Sequence, residues 1–332
     1  GNEAGVKYYL MGVFASAVML YGMSLLYGVS GSTLLTDISA SLSTAHHSTP
    51  IFSLAVVFVI VGFGFKVSAV PFHTWAPDTY EGAPTPITAF LAVSSKAAGF
   101  VALLQLILLA FPGRTDVVGP MIWILSALTM TVGNMIALRQ TNVVRLLAYS
   151  GVAQAGFMLA PLAVTHDSPK ALASVVTYLV IYAGMNLGAF AVVIAIARKT
   201  RSAEIESFGG LFEYAPGLAF LMALFLFALA GIPPLGGWLA KFVVFQALAD
   251  AGTSGAYTLA VIVAVNSVIA LYYYANIARE MFMKPVPDGD TTPVRIPVSL
   301  MAAMSMTAAV TILFGVSNLA AKLGDAAEFI RL

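Results

Sequence analysis

Long apolar runs with scarcely a charge among them decide what this chain can become. A helix needs about 20 mostly apolar residues to cross the hydrocarbon core of a bilayer, and nine stretches qualify. They run from Tyr8 to Val29, from Ile51 to about Thr79 with a break, and over Ile87–Phe111, Val117–Leu138 and Val143–Val164. Four more cover Ala171–Ala197, Leu218–Leu248 (also interrupted), Tyr257–Met281 and Ile296–Phe314. The linkers are short, and none is long enough for a soluble domain. Charged residues make up 9% of the 332, against roughly 25% in an ordinary soluble domain, which excludes a soluble enzyme and a disordered chain. A net charge of +1 offers no basic face for nucleic acid. The absence of cysteine removes disulfides, thiol nucleophiles and Cys-ligated metal or iron–sulfur sites. Gly1–Tyr9 mixes acid with base, unlike a cationic leader. The fold class is all-α: a polytopic membrane protein of about nine transmembrane helices.

Nearly all basic residues fall in loops. The side holding the N-terminus carries Lys7, Arg139, Arg145, Arg198, Lys199, Arg201, Arg279, Lys284 and Arg295. The other side has only Arg114, Lys170, Lys322 and Arg331, so the first side is expected to be cytoplasmic. Lys66, Lys96 and Lys241 belong to no loop. A charged side chain near the bilayer centre costs about 2.5–3.5 kcal/mol on insertion scales, and each of these stands in an apolar run without an acid. Snorkelling or simple packing accounts for one such lysine; three together point to a polar interior with a task. Lysine suits a mobile proton, because desolvation lowers its pKa and an anionic neighbour raises it, whereas arginine stays charged.

Two crossings are interrupted by proline. Pro71 follows Lys66 in Lys66-Val67-Ser68-Ala69-Val70-Pro71-Phe72-His73, and Pro233 and Pro234 precede Lys241 after Gly231. Proline removes a donor and frees a carbonyl, which at membrane depth only protein or water can satisfy. One break reads equally as an ordinary kink. Two of them, five helices apart and each beside a lysine, suggest a repeated five-helix unit and an ion path near the midplane. On the fifth crossing, Tyr149, Ser150, Gly151 and Gln154 suit either close helix packing or positioning of water between the lysines. His73 reads as a structural hydrogen-bonding residue ahead of a relay member. His46 and His47, in a Ser/Thr-rich loop, read as solvated, and Asp78 and Glu81 flank a turn where they are either solvated or guide protons at the cytoplasmic mouth.

The stretch Gly64–Pro86, reading Gly-Phe-Lys-Val-Ser-Ala-Val-Pro-Phe-His-Thr-Trp-Ala-Pro-Asp-Thr-Tyr-Glu-Gly-Ala-Pro-Thr-Pro, resembles the subunit N family of the proton-pumping NADH–quinone oxidoreductase, respiratory complex I. So do Ser95-Lys96, the segment Gln140–Ser150, the break from Leu229 to Pro234 with Lys241, and Leu271-Tyr272-Tyr273-Tyr274. The resemblance implies an antiporter-like fold of fourteen helices, with two inverted five-helix repeats and a discontinuous helix in each. On that plan the nine crossings are the sixth to the fourteenth. Residues 1–112 would then complete the first repeat, 113–284 form the second and 285–332 supply the C-terminal helix. The chain is thus expected to be a fragment without the first five helices, whose fifth carries the glutamate that would pair with Lys66; Glu3, in a polar stretch before the first crossing, is not that residue.

Carried over, the resemblance implies Lys66 as a switching lysine, Lys96 as the central relay and Lys241 as the terminal group. Where some relatives have a histidine, Gln154 cannot titrate, so the relay there would use water, a hydroxyl such as that of Ser150 or Tyr149, or the surroundings of Arg145. The resemblance further implies a site in the inner membrane among other membrane-arm subunits. It implies no cofactor in this chain; NADH, FMN, iron–sulfur clusters and quinone would belong to partners. A subunit of a multisubunit Na⁺/H⁺ antiporter, which shares the repeat, and a scaffold that moves no ions are the competing readings.

Overall fold

The computed structural model describes residues 1–44 and 50–327; His46, His47 and Arg331 lie outside the described residues. Among the described residues, eight helices are long and apolar enough to cross a membrane. In chain order the helices are α1 (Asn2–Ser30), α2 (Leu35–Thr44), α3 (Pro50–Lys66), α4 (Trp75–Gly82), α5 (Thr85–Ala110), α6 (Thr115–Ala137) and α7 (Val143–Leu162). They continue as α8 (Ala171–Thr200), α9 (Leu211–Tyr214), α10 (Pro216–Ala230), α11 (Gly236–Ala251), α12 (Ser254–Met283), α13 (Val298–Val316) and α14 (Leu319–Ala326). The interrupted crossings are α3 with α4 and α10 with α11, so the expected arrangement of about nine spans holds. Both breaks contain a cis X–Pro bond, at Pro71 and at Pro234.

Some boundaries differ from the sequence expectation, for local reasons. The first helix starts at Asn2 and takes in Glu3, which pairs with Lys7 one turn on at 2.7 Å; Glu3 therefore stands on a helix rather than in a polar loop. The short helices α2 and α14 fall below the length that a hydropathy reading registers. Helix α5 carries two five-residue π-helical stretches, Leu91–Ser95 and Leu106–Ala110. The first ends immediately before Lys96, and such insertions re-aim the side chains that follow.

Helices α7 and α8 form the centre, with α6, α4 and α11 against α7, and α10, α11, α13 and α14 against α8. Asn142 caps α7, its side chain accepting from the amides of Val144 (2.9 Å) and Arg145 (3.2 Å), as short polar side chains do at helix starts. Small residues let α7 and α6 touch: a Cβ at Gly156 would stand 2.4 Å from the Met130 nitrogen. In hydrocarbon, where burial of apolar surface drives no association, such close contact is what joins helices. Gly156 on the fifth crossing thus serves close packing of α7 against α6. Gly156→Ala is expected to destabilise the protein by about 1–3 kcal/mol through overpacking. Gly28→Ala, with no atom within 4 Å of its added Cβ, is expected to be silent. Thermal unfolding of the two variants in detergent checks both.

Candidate functional site

The second break sets the chemistry. When α10 stops at Ala230 its last four carbonyls lose their helical partners. Gly231, at φ +90, turns the chain back, and its amide with that of Ile232 serves Phe227 O and Ala228 O at 2.9–3.1 Å. Leu229 O and Ala230 O remain. The first accepts from Gln154 Nε2 at 3.1 Å and the second from Lys241 Nζ at 2.7 Å. Lys241 is thus held at a helix C-terminus, whose partial negative charge favours an ammonium, and its amine lies 4.8 Å from the centre of the Phe157 ring. Leaving either carbonyl bare would cost about 1–3 kcal/mol.

Gln154 gathers a second set of groups. Its amide nitrogen also donates to Tyr274 Oη at 3.3 Å, and its oxygen accepts from the Tyr178 hydroxyl. Tyr274 in turn is hydrogen-bonded to Ser150 Oγ at 2.5 Å, either hydroxyl being able to donate. One residue on, the Gly151 carbonyl accepts from Lys96 Nζ at 2.6 Å. Lys96 is 2% exposed and its amine stands 5.9 Å from the Tyr182 ring centre. A line of buried polar groups therefore follows α7 from Lys96, past Ser150, Tyr274 and Gln154, to the broken end of α10 and Lys241, hydrogen-bonded from Ser150 to Leu229 O and bridged by one step of backbone at each end.

The first break is built differently. The carbonyls of Phe63, Gly64 and Phe65 accept from the amides of Val67, Ala69 and Ser68, and Trp75 Nε1 adds a bond to Phe65 O at 3.2 Å. Local turns and a tryptophan do there what Lys241 and Gln154 do at the second break. Lys66 caps no carbonyl of α3. Its side chain is exposed along a groove of about 430 Å³ lined by Tyr8, Tyr9, Gly12, Val13, Ser16 and Phe65. Among the described residues it has no carboxylate partner. Its Cβ nevertheless faces Gly99, where an added Cβ would be 3.2 Å away, less than a turn after Lys96.

His73 is buried against Tyr149, the ring centroids 6.3 Å apart, and its Nδ1 has no hydrogen-bond partner. Arg145 stands apart from the lysines, at the mouth of the bundle. It binds Asp78 Oδ1 at 2.8 Å and Glu81 Oε2 at 2.7 Å, while Lys7 binds Asp78 Oδ2 at 2.7 Å. Asp78 and Glu81 are therefore clamped into a network joining α1, α4 and α7 instead of being merely solvated. The sequence reading named Tyr274 only within the stretch that carries the resemblance, with no role, and missed Tyr178 and Tyr182; the tyrosines four residues apart on α8 were the available signal. It also missed Asn134, which binds Asn266 and Tyr273 to tie α6 to α12. No group of three His, Asp or Glu residues that could hold a metal occurs among the described residues.

These features define a membrane protein with two discontinuous helices, a buried lysine at the second break and another on α5. The NADH:quinone oxidoreductase/Mrp antiporter transmembrane family model matches residues 1–270, and the chain belongs to that family. It is 44% identical over 317 residues to the NADH-quinone oxidoreductase subunit N of Heliobacterium modesticaldum, covering 95% of this chain and 65% of that protein. A second subunit N, from Solibacter usitatus, is 42% identical over 95% of this chain and 63% of its own length. The chain thus spans just under two thirds of these relatives. Respiratory complex I from Thermus thermophilus contains a chain 34% identical to it, with TM-score 0.76, over 95% of this chain and 66% of that one. A chain of the Mrp complex from Dietzia sp. has TM-score 0.88 at 22% identity, covering 100% of this chain and 68% of its own, and shares the fold.

Asp78 links the mouth to pH. Hydrogen bonds, from Lys7 first and then Arg145, hold its carboxyl below the usual aspartate value, against the opposing effect of burial. The clamp is expected to be at full strength above the ordinary aspartate range and to be lost as pH falls through the depressed value. Thermal unfolding of the full-length protein against pH should therefore weaken on the acid side, and Asp78→Asn should flatten that limb while lowering stability at neutral pH.

Proposed function

We propose that the chain is part of a proton-translocating membrane subunit of an NADH–quinone oxidoreductase, working through Lys96 and Lys241. The observation that carries this reading is the use of Lys241 and Gln154 to cap the two carbonyls that the break in α10 leaves free, at one end of the polar line that begins at Lys96. Identity to subunit N of more than 40% supports the choice of complex. Partner subunits of the membrane arm would bind NADH, FMN, iron–sulfur clusters and quinone, and this chain would bind none of them. It would lie in the inner membrane with the Arg145 face toward the cytoplasm. Residues 1–112 and 113–284 would belong to the two inverted repeats, and 285–332 would add the last helix.

Lys96 and Lys241 can each exist as ammonium or amine, and the Gly151 and Ala230 carbonyls accept a hydrogen bond from their nitrogens. Between them Ser150 and Tyr274 can pass a proton, because each hydroxyl both donates and accepts. Gln154 transfers no net charge; its amide orients Tyr274 and Tyr178. Lys66 would switch the first half of the path, paired to a carboxylate supplied by residues beyond this chain. His73, Tyr149 and Arg145 would line the cytoplasmic approach. Moving one charge against 100 mV takes about 2.3 kcal/mol, so the lysines must be reached by turns from each side.

In the complete subunit within its assembled complex, Lys96→Met and Lys241→Met are each expected to lower proton translocation about tenfold, a change of about 1.4 kcal/mol in the barrier. Electron transfer to artificial acceptors should change less. Proteoliposome pumping assays measure both. Undiminished pumping with normal assembly leaves a scaffold, and strict dependence on sodium leaves the Na⁺/H⁺ antiporter.

A further inference from the structure

Among the described residues, buried side-chain atoms without a hydrogen-bond partner are confined to two places. One is the first break with α4, at Ser68, His73, Thr79 and Tyr80; the other is one face of α8, at Tyr182 Oη and both amide atoms of Asn186. None belongs to the polar line from Lys96 to Lys241, where Ser150, Tyr274, Gln154 and Tyr178 are all hydrogen-bonded. Buried polar groups are almost always paired, with protein or with water, so the two flanks of Lys96 differ in kind. On the flank toward Lys241 every buried polar side chain has a partner, and the other has unpartnered donors and acceptors.

Asn186 is fully buried in the middle of α8. It lies four residues after Tyr182, one turn further along the same face. Tyr182 is the aromatic ring against the Lys96 amine; a Cβ on Gly151 would stand 3.0 Å from its hydroxyl and 3.3 Å from Lys96 Nζ. Beyond Asn186 the helix runs toward the face that carries Arg145, where Val143 N donates to Ala203 O at 2.7 Å just after α8 ends. On the way α8 packs against the start of α5, whose Thr88 hydroxyl donates to Tyr80 O at 2.8 Å. An ammonium has three donors, and the Gly151 carbonyl takes one from Lys96.

We propose that Asn186 and Tyr182 are positioning residues for the loading of Lys96, holding the water through which a proton reaches it from the Arg145 face. The Asn186 amide supplies two donors and an acceptor and the Tyr182 hydroxyl one donor and an acceptor, enough to anchor bridging water. A proton passes along the water hydrogen bonds, the last water gives its proton to the neutral Lys96 amine, and the ammonium turns to Gly151 O. No electron changes hands. The inference rests on the proton-translocating reading of Lys96.

The test uses the complete subunit in its assembled complex, reconstituted in vesicles, with NADH-driven proton translocation measured in H₂O and D₂O. Asn186→Leu is expected to lower translocation about tenfold and to raise the solvent isotope effect, since positioned proton transfer becomes limiting. Asn186→Ser, which keeps a donor and an acceptor, should recover to within about twofold, and Tyr182→Phe should fall about threefold with the same isotope signature. If Asn186→Leu does not assemble, Tyr182→Phe, which removes a single hydroxyl, decides the matter. Parental rates and isotope effects in these variants beside a defective Lys96→Met protein overturn this inference alone; parental translocation by Lys96→Met overturns the function on which it rests.

Discussion

A helix that ends inside a membrane leaves carbonyls that lipid cannot satisfy, and the centre of this protein is arranged around that constraint. The break after Ala230 presents two bare carbonyls. Donors must come from elsewhere in the protein, and they come as an amide from α7 and an amine from α11. Meeting a structural need in this way brings a titratable group and a polar network to mid-bundle. Gln154 then draws in Tyr178 and Tyr274, and Tyr274 draws in Ser150, one residue from the carbonyl that holds Lys96.

The two breaks share a proline and a neighbouring lysine yet solve the same problem by different means. Around Pro71, turns within the chain and the Trp75 indole take up the carbonyls of α3, which leaves Lys66 free of any capping duty. A lysine with no carbonyl to serve is available to pair with a partner from outside this chain. Lys241 is bound into its break and is correspondingly less free. The ion network of Lys7, Asp78, Glu81 and Arg145 holds α4 against α1 and α7, so the half-helix below the first break is anchored at the surface as well as through its buried Trp75.

Much of this was legible from residue order. Apolar length located the crossings, because a bilayer demands about 20 residues and tolerates few charges. The lone lysines stood out because no loop could hold them, and proline marked both breaks because it cannot donate. The tyrosines did not stand out. A phenol in an apolar run looks like any other aromatic residue, and only the neighbouring helices reveal whether its hydroxyl has a partner. Asn134 with Asn266, and the π-helical turns before Lys96, were hidden for the same reason: each depends on register against another helix, and single-chain hydropathy carries no register.

The sequence by itself determined the class of protein, the number of spans and their breaks, and singled out three lysines of which Lys96 and Lys241 are buried and Lys66 is not, since these follow from what hydrocarbon excludes. Only the tertiary structure decided which groups those amines meet. That Lys96 and Lys241 lie on one polar line while Lys66 opens to a groove, and that Arg145 sits in a clamp of acids, follows from how the helices pack. A hydrogen bond needs atoms about 3 Å apart in the right direction, and such distances between remote residues are set by packing alone.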